Sequence, residues 1–233
     1  ENHPKGAEMN TYKGKAFSVL GDSISTLFGY STPEDAVYYS ASRRYETGVC
    51  YLRDTWWGRV IEALGGRLLI NNSFSGSTVC RYSESEYDSY ACSDGRTSAL
   101  SEGDCAPDVI MIFMGINDRG CGAMVYPLCK GGESDLSVFS SAYDTMLGKV
   151  RKNYASAEVW CLTLPLGLCD GYPPSDTARR STEEYSAVIS ECALKHGCRL
   201  IDICAMKPYD SADGVHPSSD GMKAIADAVL SNI

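Results

Sequence analysis

Histidine is scarce in this chain, with three among 233 residues, and no run of lysine or arginine occurs. The 21 basic residues are outnumbered by 30 acidic ones, so the formal charge is −9. A surface of that sign repels phosphate backbones and anionic lipid, which argues against a nucleic-acid partner. No apolar stretch approaches the roughly 20 residues that span a bilayer. The longest, such as Val109 to Met114, have the length of a strand. There is no internal repeat and no low-complexity linker.

Cysteine is plentiful, yet its eleven copies include no C-x-x-C pair, and with so little histidine the spacing of a zinc site is missing. Cys161, Cys192 and Cys204 lie within apolar runs, where a free thiol behaves as a small hydrophobe. Most cysteines therefore read as reduced core residues of a cytoplasmic protein. Cys80, Cys92, Cys121 and Cys129 fall in stretches that read as surface loops, which leaves room for a disulfide or two. The chain opens at Glu1, without Met, and its first ten residues are polar. Residues 1–14 are set aside as an N-terminal tail or an expression remnant, and a secreted origin stays open for the same reason.

What is present is a 44% hydrophobic chain, enough for one sizeable core. Lys15 to Leu20 reads as a buried strand. A long, tyrosine-rich loop follows from about Thr26 to Asp54, and loops of that length are usually functional or mobile. Asp54 is placed to cap a helix whose Trp56, Val60, Ile61 and Leu64 share one face, closed by Gly65-Gly66. Arg67 to Asn71 reads as a second strand, and residues 81 to 107 as loop with room for a short helix. Asp108 to Met114 is the clearest central strand; it stops at Gly115 to Gly120, and another loop follows. A helix is expected over Ser134 to Tyr154 and a fourth strand over Glu158 to Leu164. Ser181 and Glu184 form a capping box for the next helix, which buries Tyr185, Val188, Ile189 and Cys192. Arg199 to Ile203 is a fifth strand. The last helix carries Met222, Ile225, Ala226, Val229 and Leu230 on one stripe. Strands alternating with helices imply an α/β domain with a parallel sheet, taken as a single domain over residues 15–233.

In such sheets ligands bind beyond the carboxyl ends of the strands. Small polar clusters stand at those ends: Ser23 after the first strand, Gly76 after the second, Asn117 after the third, and Asp213 with His216 in the loop before the final helix. A serine hydroxyl needs a base to become a nucleophile. His3 lies in the tail and His196 ends a helix, which leaves His216. Asp213, three residues earlier, can hold its far ring nitrogen, and the Ser23 and Gly76 N–H groups with the Asn117 amide can face an oxyanion. Each piece has a plainer explanation by itself: Ser23 or Ser25 as a helix cap, Gly76 and Asp213-Gly214 as turns, Asn117-Asp118 as a strand-ending turn or cap. Their joint occurrence in order, each at a strand end, has none.

The blocks Gly21-Asp22-Ser23-Ile24, Gly76, Gly115-Ile116-Asn117-Asp118 and Asp213-Gly214-Val215-His216 resemble those of the SGNH/GDSL hydrolases, with Ile24 where the family has Leu. The resemblance covers about residues 15 to 233. It implies a flavodoxin-like three-layer α/β/α fold with a five-stranded parallel sheet in the order 2-1-3-4-5, and an esterase or lipase without cofactor or metal. It implies Ser23 as nucleophile, His216 as base, Asp213 as its orienter, and Ser23, Gly76 and Asn117 as the oxyanion hole.

The expected partner is a small-molecule ester, first an acetyl ester of a carbohydrate, then a short-chain lipid ester or thioester. Oligomeric state is open. Aromatic residues of the loops (Tyr30, Tyr38, Tyr39, Tyr45, Trp56, Trp57, Tyr82, Tyr87, Tyr90) suit a sugar, but loop packing accounts for most of them. Two other classes compete: a non-catalytic binding module on the same fold, and a metal-dependent hydrolase using Asp22, Asp118, Asp213 and His216.

Overall fold

Six consecutive buried residues, Ala16–Gly21, form strand β1 near the middle of a five-stranded sheet. The structure is a computed structural model that describes residues 9–31, 36–81, 90–126, 135–165 and 182–233. The other strands are β2 (Arg67–Ser73), β3 (Val109–Phe113), β4 (Glu158–Leu162) and β5 (Arg199–Ile201). All neighbours pair in parallel, in the order β2-β1-β3-β4-β5. That is the doubly wound order the family resemblance implies, and it places the reversal of chain direction across the sheet between β1 and β3. Gly21 at the end of β1 is level with Ser73 of β2 and Phe113 of β3, so the turns leaving these strands share one edge.

The helices are α1 (Arg44–Thr47), α2 (Trp56–Ala63), α3 (Asp94–Ser98), α4 (Ile116–Cys121), α5 (Phe139–Asn153), α6 (Thr182–Lys195) and α7 (Ser219–Ser231). α2 packs against α7, and α5 against α6, giving helical layers that flank the sheet. β3 is buried along its whole length, as a strand covered on both faces must be. Ahead of β1, Tyr12 packs edge-on against Trp160 and donates a hydrogen bond to Glu158.

Several local expectations are corrected. Thr55, not Asp54, caps α2, its hydroxyl accepting from the Gly58 N–H. The Asp54 carboxylate is occupied instead by the Cys50 and Tyr51 N–H groups. Gly115 to Gly120 is not a plain turn: α4 begins at Ile116, and Gly115 takes φ +123°, open to glycine only. α5 starts at Phe139, later than expected, and the Ser181 half of the proposed capping box lies outside the described residues. Cys80 and Cys92 are buried rather than on the surface, on adjacent segments tied by Ala91 N–H to Thr78 C=O at 2.7 Å. The Cys129 loop is outside the described residues.

Candidate active site

The turn after β1 is built to hold one hydroxyl at the sheet edge. Asp22 caps a single 3-10 turn, Ser23–Ser25, by accepting from the Ile24 N–H; neither serine is the cap. A Cβ on Gly21 would lie 2.5 Å from Cβ of Ser25 and 2.8 Å from Oγ of Ser73, so only glycine lets the chain turn this tightly. The turn is braced from behind. Trp56 Nε1 donates to Ser25 Oγ, and Trp57 Nε1 and Asn71 Nδ2 donate to the Ser25 carbonyl. Both tryptophans are fully buried, so they support the turn and do not line a sugar site.

Ser23 is 5% exposed. Its Oγ lies 2.9 Å from His216 Nε2, and His216 Nδ1 lies 2.7 Å from Asp213 Oδ2. Three side chains from loops 193 residues apart in sequence thus form a continuous hydrogen-bonded row. The other oxygen of Asp213 accepts from the Val215 and His216 N–H groups, which folds the loop back so that acid and imidazole meet. Partial burial raises the Asp213 pKa, but the His216 N–H, the His216 ring, the Tyr38 hydroxyl and the Val215 N–H outweigh it and hold the carboxyl at about 2. Burial lowers the His216 pKa, with Asp213 opposing. Near neutrality the pair is therefore a carboxylate beside a neutral imidazole, the state in which Nε2 can take a proton.

Asn117 sits in the first turn of α4, directly after β3, and its amide donates to the Ser77 carbonyl at 2.8 Å. Among the described residues the other N–H of that amide has no acceptor. Gly76 has φ +78°, is exposed, and its N–H has no partner among the described residues. The predicted site residues therefore gather on one rim.

Two groups beneath this rim support it in ways the sequence does not show: from the sequence Arg96 has no role, and Asp118 has a functional one only as a metal ligand. Arg96 of α3 is buried and donates to Gly21 C=O (3.0 Å), Asn72 C=O (2.8 Å) and Ser77 Oγ (2.8 Å). It joins the ends of β1 and β2 to the Gly76 turn. Asp118 is fully buried and accepts from the Val79 and Cys80 N–H groups, fixing the chain beyond Gly76 against α4. Burial raises its pKa. Asp22, Asp118, Asp213 and His216 do not converge: among the described residues no three His, Cys, Asp or Glu side chains form a cluster able to hold a metal ion.

Residues 15–233 match the family model of the GDSL-like lipase/acylhydrolases. The chain belongs to that family. The solved structures it resembles include a candidate GDSL-like lipase from Bacteroides ovatus, 28% identical, with a TM-score of 0.72 over 93% of this chain and 96% of the other. A second, from Bacteroides uniformis, is 29% identical, with a TM-score of 0.71 over 94% and 95%. A carbohydrate acetylesterase from Sinorhizobium meliloti shares the fold at 15% identity, with a TM-score of 0.60 over 93% and 97%. No curated protein shows significant similarity in sequence. Membership in this GDSL-like family brings with it hydrolysis of ester bonds as the class of chemistry.

Proposed function

We propose that the protein is a serine esterase that cleaves small acyl esters, acetyl esters of carbohydrates first among them, through an acyl-enzyme. The observation that carries this reading is the row Ser23 Oγ, His216 Nε2, His216 Nδ1, Asp213 Oδ2, with contacts of 2.9 and 2.7 Å. Ser23 attacks the ester carbonyl as His216 takes its proton, and Asp213 keeps the ring in the tautomer whose Nε2 is free to accept. The Ser23 and Gly76 N–H groups and the free N–H of Asn117 receive the oxyanion. His216 returns the proton to the departing alcohol. Water, deprotonated by the same imidazole, then attacks the acyl carbonyl and releases the acid and Ser23.

The small acyl group is favoured by the surroundings of a nearly buried Ser23. Among the described residues, Gly76 and the Asn117 amide at this rim are small or polar and give no apolar wall to an alkyl chain. Tyr38 and Tyr39 are buried and bonded into the site.

The test is labelling by a fluorophosphonate probe in the native protein and in Ser23→Ala, followed by hydrolysis of p-nitrophenyl esters from acetate to long chains and of acetylated sugars. Labelling lost in Ser23→Ala, with acetate preferred, is the expected result. No labelling of either protein favours a binding module, and preference for long chains favours a lipid ester.

A further inference from the structure

The 26–54 loop carries two consecutive tyrosines that close over the acid–base loop from opposite ends. The Tyr38 ring stacks on the His216 imidazole with centroids 3.4 Å apart and planes 10° from parallel. Its hydroxyl donates to Asp213 Oδ2 at 2.8 Å, the same oxygen that meets His216 Nδ1. The Arg43 guanidinium covers the Tyr38 ring, 4.3 Å from its centroid. Tyr39, its ring edge-on to Tyr38, donates to the Pro217 carbonyl at 2.8 Å. The backbone of Tyr38 is itself tied to the nucleophile turn, since its N–H donates to Thr26 Oγ1, which donates to the Ser23 carbonyl.

We propose that Tyr38 is a positioning residue: pressed between Arg43 and His216 and bonded to Asp213, it fixes the imidazole plane in which one ring nitrogen meets Ser23 and the other meets Asp213. The inference rests on the esterase reading. An imidazole held only at its two nitrogens can still tip about the line joining them. A parallel ring at van der Waals distance removes that motion. The hydroxyl sets the same carboxylate oxygen from the side, and Thr26 references the whole assembly to the turn that carries Ser23. Tyr38 makes no hydrogen bond to Ser23 Oγ or to His216 Nε2; it acts by packing on the base and bonding its acid.

The charged and titratable groups around His216 are Asp213, Tyr38, Arg43 and Glu46, with the Ser23 hydroxyl on Nε2. Removing the Tyr38 ring admits water to one face of the imidazole, which favours its charged form. Removing only the hydroxyl frees Asp213 Oδ2 for His216 alone.

The experiment is a ¹⁵N-histidine NMR titration of the full chain beside p-nitrophenyl acetate kinetics, for the native protein, Tyr38→Phe and Tyr38→Leu. Tyr38→Leu should raise the His216 midpoint toward about 6.5, carry the acid limb of kcat/KM with it, and lower kcat by up to about 10²-fold with little change in KM. Tyr38→Phe should keep the stack and most of kcat, but shift the His216 Nδ1 proton downfield. Should Tyr38→Leu not fold, that proton decides, and an unmoved signal in Tyr38→Phe overturns the inference. Native midpoint and kcat in both variants overturn it as well. A native protein inert to esters and to the fluorophosphonate would instead defeat the esterase reading, while the titration would still decide what Tyr38 does to the ring.

Discussion

Arg96 donates to the carbonyl of Gly21, the last residue of β1, at 3.0 Å, from a side chain with almost no contact with solvent. The guanidinium lies under the turn that carries Ser23, with the Asp22 carboxyl nearby. Burial lowers the Arg96 pKa to about 10, so it stays charged near neutrality.

Arg96→Met should therefore destabilise the fold by about 3–5 kcal/mol, since it leaves the buried Gly21 and Asn72 carbonyls and the Asn72 and Ser77 side chains without their charged donor. Urea unfolding gives the difference. A loss under about 1 kcal/mol would mean that the strand ends hold without it.

Asp22 carries a different signature. Burial raises its carboxyl from 3.8 to about 7, with Asp118 adding to the rise and the Ile24 N–H and Arg96 opposing, and its Oδ2 has no partner among the described residues. The folded state then holds a proton that the unfolded chain releases near 3.8, so the contribution of Asp22 to stability falls as pH rises from about 4 to about 7. Asp22→Asn keeps an oxygen for the Ile24 N–H and should flatten that decline, by on the order of a few kcal/mol. Parallel denaturation series at pH 5 and pH 8 measure it; equal slopes in both proteins would contradict the assignment.

The acid limb of kcat/KM should lie below about 6.5, the ordinary imidazole value. Burial lowers the His216 pKa, and only the neutral ring can accept the Ser23 proton, so activity rises with pH through that lowered value. A pH profile on p-nitrophenyl acetate reads it directly, and a midpoint above 7 would conflict with a desolvated base.

Asn117→Ala should reduce kcat by roughly 10²–10³-fold with KM little affected, the cost of one oxyanion donor. Steady-state kinetics on the same ester is sufficient. An unchanged kcat would leave the Ser77 carbonyl as the only partner that matters to this amide.

The parallel sheet and the four strand-end clusters could be read from the sequence because each strand is a short apolar run that ends abruptly in small polar residues, and parallel strands bring those ends to one edge; the strand order followed only from the family resemblance. The supports could not. Tyr38 meets Asp213 across 175 residues, and nothing in the spacing of a tyrosine-rich loop announces that partner. Arg96 sits in a polar stretch where an exposed arginine is the default expectation. α4 was missed because Ile-Asn-Asp-Arg-Gly-Cys has no helical apolar period and contains a glycine; its start is fixed by the Gly115 backbone and by Asp118 reaching across to Val79 and Cys80. Asp54 and Thr55 are both competent caps, and the choice between them was made by the Cys50 and Tyr51 N–H groups.

Cys80 and Cys92 lie fully buried beside the segment that Asp118 pins, and burial pushes the Cys92 thiol up to about 12 and the Cys80 thiol higher still. Cys50 and Cys121, by contrast, are exposed. Alkylating reagents will reach Cys50 and Cys121 in the folded protein and the inner pair only when that segment swings away. The molecule thus carries its own chemical clock, able to time how often the segment beyond Gly76 comes away from Asp118.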